Sequence, residues 1–381
     1  MYNASDAFHT AVENDQPQIV MLIFKTAVFT NEDIDVESGV EFNDYFNLEE
    51  DMAIGQSLSN EIRFSLFNDE GYLNKFKFGD FLATIGVLIE TESFKQYGNV
   101  TIKVNNVVWS GFNEYPYITR NNTALSAQPS FAVKSLLCYE DKVYAFGADK
   151  QYVVYDMNGV NITQDNPVNT FMRNKSTKWE GKGFYYKDST RILNIYEGGY
   201  KNKYEFVPLG HFTAERPKAP DTIVIDMSCN DYMVKFDQDM PTKEALDITY
   251  PISFKNLLKK MCSYAKVEVS NADFINSNAV IQEEIEDFSR VTMREVIQWI
   301  AEAAGGNAKF DRDGVLHIDW IRETNQKFDE SKYESFNPYW YETKTITKLT
   351  NMGSDGSYDA DVGTGSETYL IQDNPLLKGV T

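Results

Sequence analysis

Residues 291–321, VTMREVIQWIAEAAGGNAKFDRDGVLHIDWI, change hydrophobic period half-way along. Met293, Val296, Ile297, Ile300 and Ala304 recur at helical spacing and lay an apolar stripe on one face. Thr292 followed by Glu295 is the capping-box pattern that opens such a helix. Gly305 and Gly306 close it, because glycine accepts the positive φ that other residues resist. Beyond them the period falls to two: Ala308 and Phe310, a turn through Asp313 and Gly314, then Val315, Leu316, Ile318 and Trp320. The pattern predicts a capped helix feeding a hairpin, with Trp299 and Trp320 packed inside the unit. A related pattern starts at Ser253, 39 positions before Thr292, where Phe254, Leu257, Leu258 and Met261 share a face and VEV follows. Each helix has an apolar face that needs cover, so the two are expected to pack together in an α/β unit spanning residues 250–340.

Elsewhere the pattern is that of short strands. Residues 1–17 are polar and read as a loose arm or an edge addition, and residues 19–30 read as a strand. Ile62, Phe64 and Leu66 alternate with polar neighbours, Phe76, Phe78 and Phe81 suggest a second short strand, and residues 83–92 a third. TIKVNNVVWSG predicts a hairpin tipped by Asn105 and Asn106. Residues 133–163 give three or four strands at a spacing like a propeller blade, although one copy cannot close a propeller. Residues 191–207 predict a hairpin turning at Gly198 and Gly199, and Pro217 and Pro220 make a rigid exit from it. The strand before that exit needs a partner. Pairing it with the N-terminal sheet gives a discontinuous first domain, 1–95 plus 196–216, with residues 96–195 as an inserted β-rich module. Near the C-terminus, residues 343–350 alternate, 351–365 read as a loop rich in Gly, Ser and Asp, and 367–377 recover a strand. The last sheet is short of strands at Thr381, the expectation for a fragment or for a protein completed by a partner.

Composition agrees with a β-rich reading: 23 Tyr and 25 Phe favour sheet, and 381 residues suffice for two or three cores. A formal charge of −21, from 57 acidic and 36 basic residues, opposes tight wrapping of a nucleic-acid backbone. It fits a solvated surface or the lining of a passage through which DNA slides without sticking. Three widely spaced cysteines, Cys138, Cys229 and Cys262, indicate neither a disulfide framework nor a zinc site. No signal peptide opens the chain, and the apolar run 19–29 is far shorter than a bilayer span. His9, His211 and His317 fall in different predicted elements, without HExxH, CxxC, phosphate-loop or GxSxG patterns. Asp311, Asp313 and Gly314 imitate the start of a calcium loop, but Arg322 stands at its twelfth position. Asp355, Asp359 and Asp361 make a slightly better cation candidate, yet Ala360 stands at the sixth position, where a calcium loop needs glycine. Two aromatic groups in the insertion, Trp109 with Tyr115 and Tyr117, and Trp179 with Tyr185 and Tyr186, suit sugar stacking if exposed together. Strand cores and oligomer contacts use the same residue types, and that alternative stays open.

The order of segments resembles the hub proteins of bacteriophage and prophage tails, the baseplate hub or tail-associated family of Gram-positive prophages. It runs TNEDI at 30–34, LSNEIRFSLFNDEGYLNKFKFGDF at 58–81, GHFTAERP at 210–217, CNDYMVKFD at 229–237, the helix and hairpin of 291–321, and IQDNPLL at 371–377. The resemblance implies a mainly β fold with α+β parts, built on two phage-hub-type β barrels. The first barrel would be 1–95 plus 196–216 and the second 217–249 plus 341–381, possibly truncated, decorated by the 96–195 β module and the α/β helical unit. It implies a homotrimeric ring at the virion tail tip, assembled in the bacterial cytoplasm. Such a ring joins the tail tube and distal tail protein to fibres or receptor-binding proteins and passes DNA without specific binding. It implies no catalysis, cofactor, metal or membrane insertion. The competing readings are a carbohydrate-binding host-recognition module using the insertion aromatics, and a cell-wall hydrolase, for which no carboxylate pair is evident.

Overall fold

A computed structural model describes residues 4–45, 54–68, 71–168, 172, 182–187, 191–215, 223–282, 290–319, 347–352, 358–363 and 366–377, apart from isolated positions within these ranges. The chain packs as two units, residues 1–42 with 62–229 and residues 43–61 with 230–381.

The first unit is built on two long strands. Asp80–Ser93 and Tyr200–Thr213 run antiparallel along their whole length, from Ser93 opposite Tyr200 to Asp80 opposite Thr213. The ladder shifts register at Lys203/Tyr204 and at Pro208/Gly210. Proline has no N–H to donate, so Pro208 is tolerated where the ladder is already interrupted. Gly86 lies beneath Phe206, whose ring would stand 2.5 Å from any Cβ placed there. On its other side Asp80–Ser93 pairs with Gln18–Phe24, which turns back onto Val28–Thr30, so the single strand expected over residues 19–30 is a hairpin. Residues 5–13 are not a loose arm. Ser5 accepts a hydrogen bond from the Phe8 N–H and caps helix α1, Asp6–Glu13, which buries Phe8 and Ala11 against Val87 and Val207.

Phenylalanines fill the space under this sheet. Phe24 stacks on Phe81 at 4.5 Å, and Phe29 and Phe76 meet Phe24 edge-on. Phe76 and Phe78 precede the strand at Asp80 rather than forming one of their own. A separate four-stranded sheet, Val100–Val104, Val107–Gly111, Ile118–Arg120 and Thr123–Ala124, carries Ile102, Trp109 and Ile118 into a core shared with Leu136, Val143 and Tyr155. Its first hairpin turns at Asn105 and Asn106, with φ of 48° and 65°, as an Asn-Asn tip demands.

In the second unit, α2 (Phe254–Ala265) and α3 (Met293–Ala303) share one core through Leu257, Leu258, Met261, Val296, Ile297 and Ile300. Each such side chain contributes roughly 1.5–3 kcal/mol by leaving water. Beneath them lies a four-stranded mixed sheet in the order Glu268–Val269, Val315–Asp319, Asn307–Phe310, Ser57–Leu58. The last of these comes from the distant segment 43–61. Near the C-terminus Lys348–Met352 pairs with Tyr358–Gly363 and with Thr368–Gln372.

Among the described residues no sheet closes into either of the two expected β barrels: the fold is mixed α/β with open sheets. From Tyr200–Thr213 the twelve-stranded sheet runs outward through Ile192–Glu197, Gly183–Lys187, Ser135–Tyr139 and Lys142–Phe146 to an edge at Tyr152–Asp156. The other arm passes Val224–Asp231 and Glu61–Phe67 to Val40–Asn43, and Val28–Thr30 ends a branch. Closure needs a constant stagger and tilt around a ring. Here the long strands continue past the first unit's phenylalanine core and hand the sheet on to residues 135–197, while Ile34 meets Leu66 only as an isolated bridge. Among the described residues the sheets of the second unit have four, three and two strands, too few to close.

Candidate functional site

In the unit around α3 the capping box is in place. Thr292 accepts from the Glu295 N–H at 3.2 Å, and the Glu295 carboxylate accepts from the Thr292 N–H at 2.7 Å. At the other end Gly306 N–H reaches Ala301 O and Gly305 N–H reaches Glu302 O, each at 2.9 Å, a Schellman closure with Gly305 at φ 64°. Trp299 is half-buried against this core, and its carbonyl accepts from the Asn374 side chain at 3.0 Å. Gly314 takes φ 78° in the hairpin turn. Asp311 serves that turn: Oδ1 accepts from the Asp313 and Val315 N–H groups, and Oδ2 pairs with His317 Nε2 at 2.9 Å. Asp359 and Asp361 fall in the strand Tyr358–Gly363. Trp320, Trp179 and Asp355 lie outside the described residues.

The aromatic candidates separate. Trp109 is fully buried in a strand core and unable to stack on a ligand. Tyr185 is half-buried on the same core. Tyr115 and Tyr117 do come together, joined by Phe112, which the sequence reading passed over. Phe112 stacks on Tyr115 at 5.1 Å and 21°, and Tyr117 lies 5.4 Å from Phe112 and 6.0 Å from Tyr115. Tyr115 is exposed at the tip of this turn, which closes through Phe112 N–H to Tyr117 O.

A buried carboxylate was not foreseen. Asp231 is 2% exposed and holds a backbone junction within the second unit. Its Oδ1 accepts from Ser59 Oγ and the Met233 N–H, both at 3.0 Å, and its Oδ2 from the Asn60 N–H at 2.9 Å. Burial pushes its pKa up to about 6, against the opposing pull of those three bonds and of the Arg294 charge. Arg294 itself pairs with Asp237, Nη2 to Oδ2 at 3.1 Å. Three donors on one buried carboxylate make a structural clamp.

Burial pushes the Cys138 and Cys262 thiols up to about 12, far from the thiolate a nucleophile needs. Among the described residues no three His, Cys, Asp or Glu side chains gather in a metal-holding group, and no helix is long and apolar enough to cross a membrane.

No protein-family model matches the chain, and no curated protein matches it. Among solved structures it is similar to the crystal structure of the 43 kDa tail protein of prophage MuSo2 from Shewanella oneidensis. The two are 10% identical, with a TM-score of 0.33, over 93% of this chain and 72% of that one. The chain is thus distantly similar to a phage tail protein, at a level that carries no argument of its own.

Proposed function

We propose that the chain is a structural component of a bacteriophage or prophage tail, a hub at the tail tip that works without catalysis. The observation that carries this reading is the ordered run of segments from TNEDI at 30–34 to IQDNPLL at 371–377, which resembles the tail-hub family across most of the chain. In this reading three copies form a ring that joins the tail tube to the distal tail protein and to fibres or receptor-binding proteins. The acidic balance of −21 supports a lumen that repels DNA and lets it slide through during ejection. The Asp231 clamp and the capped helix belong to the rigid parts of such a subunit.

Light scattering on the full chain over a range of concentration tests the ring. A mass three times that of the 43.6 kDa chain, unchanged on dilution, is the expected result. A mass equal to one chain at every concentration counts against the trimer.

A further inference from the structure

One cleft in the first unit belongs to none of the sites described above. It has a volume of about 550 Å³, within the range of roughly 300–1,000 Å³ usual for ligand sites. Its floor is the start of Tyr152–Asp156, the terminal strand of the twelve-stranded sheet, and its walls are residues 128–131 and 161–165.

The walls are held by their own bonds. Val154 N–H donates to Thr163 Oγ1 at 2.9 Å and Ile162 N–H to Val154 O at 2.8 Å, so residues 161–163 cover part of an otherwise open strand edge. Asn161 Oδ1 accepts from the Thr163 N–H and hydroxyl at 3.0 and 2.7 Å. On the opposite wall the Gln128 amide is fully used, donating to Ile118 O and Leu125 O and accepting from Ile118 N–H. The Phe131 ring lies over Gly147, where a Cβ would come within 2.4 Å of it.

Several lining groups remain unspent. The side chains of Ser130, Tyr152, Gln164 and Asp165 make no hydrogen bond among the described residues, and Asn161 keeps its Nδ2 donor. Hydroxyls and amides both donate and accept, and a carboxylate accepts, which is the mixture that hydroxyl-rich molecules satisfy. Phe131 and Tyr152 add aromatic surface for the C–H faces of a sugar ring. Among the described residues no Lys or Arg lines the cleft, and Asp165 adds negative charge, which disfavours an anion.

We infer that this cleft binds a neutral polyhydroxylated ligand, a short uncharged glycan. The inference stands on the cleft alone and does not rest on the tail reading, nor does it use Trp109, Tyr115 or Tyr117.

Calorimetric titration of the full chain with maltotetraose, tetra-N-acetylchitotetraose, an oligogalacturonate and inorganic phosphate tests it. One of the neutral oligosaccharides should saturate in the millimolar range or tighter, with the oligogalacturonate and phosphate weaker. The double substitution Gln164→Ala, Asp165→Ala alters two exposed side chains with no hydrogen bonds among the described residues, and should weaken that binding at least about tenfold with an unchanged melt. Tyr115→Ala should leave it intact. Failure of both neutral oligosaccharides to saturate overturns the inference. So does unaltered binding in the double variant, loss of binding in Tyr115→Ala, or preference for either anion.

Discussion

At the scale of single residues, the two glycines after α3 act for different reasons. A Cβ at Gly305 would meet nothing within 4 Å, so a side chain there suffers only from φ 64°. At Gly306 it would stand 2.8 Å from Asp319 O, a backbone atom that cannot easily give way. Gly305→Val is therefore expected to cost about 1–2 kcal/mol of conformational strain, measured by chemical denaturation. Asp231 carries a pH dependence. Its carboxyl, raised from 3.8 to about 6, favours the folded state fully below the unfolded value, and that contribution is lost as pH rises through 6. The lost share is about 3 kcal/mol. Asp231→Asn should remove this component of the pH 4–7 stability profile. At pH 7 the bond its amide N–H₂ cannot make to the Asn60 N–H, roughly 1–3 kcal/mol, is offset by relief of the buried charge, so the net change there is small. Identical pH profiles in the two proteins would contradict the assignment. No sequence pattern marks Asp231, whose Asn60 partner is 171 positions away.

At the scale of elements, what could be read from the sequence is what is local. The cap, stripe and closure of α3 lie within sixteen consecutive residues, 291–306, and all three occur. The Asn105–Asn106 and Gly198–Gly199 hairpin turns, and the paired apolar faces of α2 and α3, were legible for the same reason. Thr292→Ala removes one side of the capping box and should cost about 1 kcal/mol, seen as a shift in denaturation midpoint without a change of slope. Long-range pairing was less legible. The two-residue strand Ser57–Leu58 joins Ala308 and Lys309, some 250 positions on, through a contact too short to leave a period. The barrel expectation failed similarly, because alternation marks a strand but says nothing of whether a sheet closes. Among the candidate aromatics, spacing could not distinguish Trp109, which faces the core, from Tyr115, which faces water.

At the scale of the whole molecule, the dominant quantity is charge. With 57 acidic against 36 basic residues, self-repulsion opposes the folded state and salt should relieve it. The melting temperature is expected to rise between low and physiological ionic strength, and duplex DNA should fail to bind in fluorescence anisotropy. Salt-sensitive binding to DNA would contradict a repelling lumen. The central claim concerns place: that this chain sits at the end of a phage tail. Gold-labelled antibody against it, applied to purified particles from the producing strain and viewed by electron microscopy, addresses that claim directly. Label confined to the tail end distal to the capsid is the predicted result. Particles with intact tails and no label there, or label on the capsid, would contradict it.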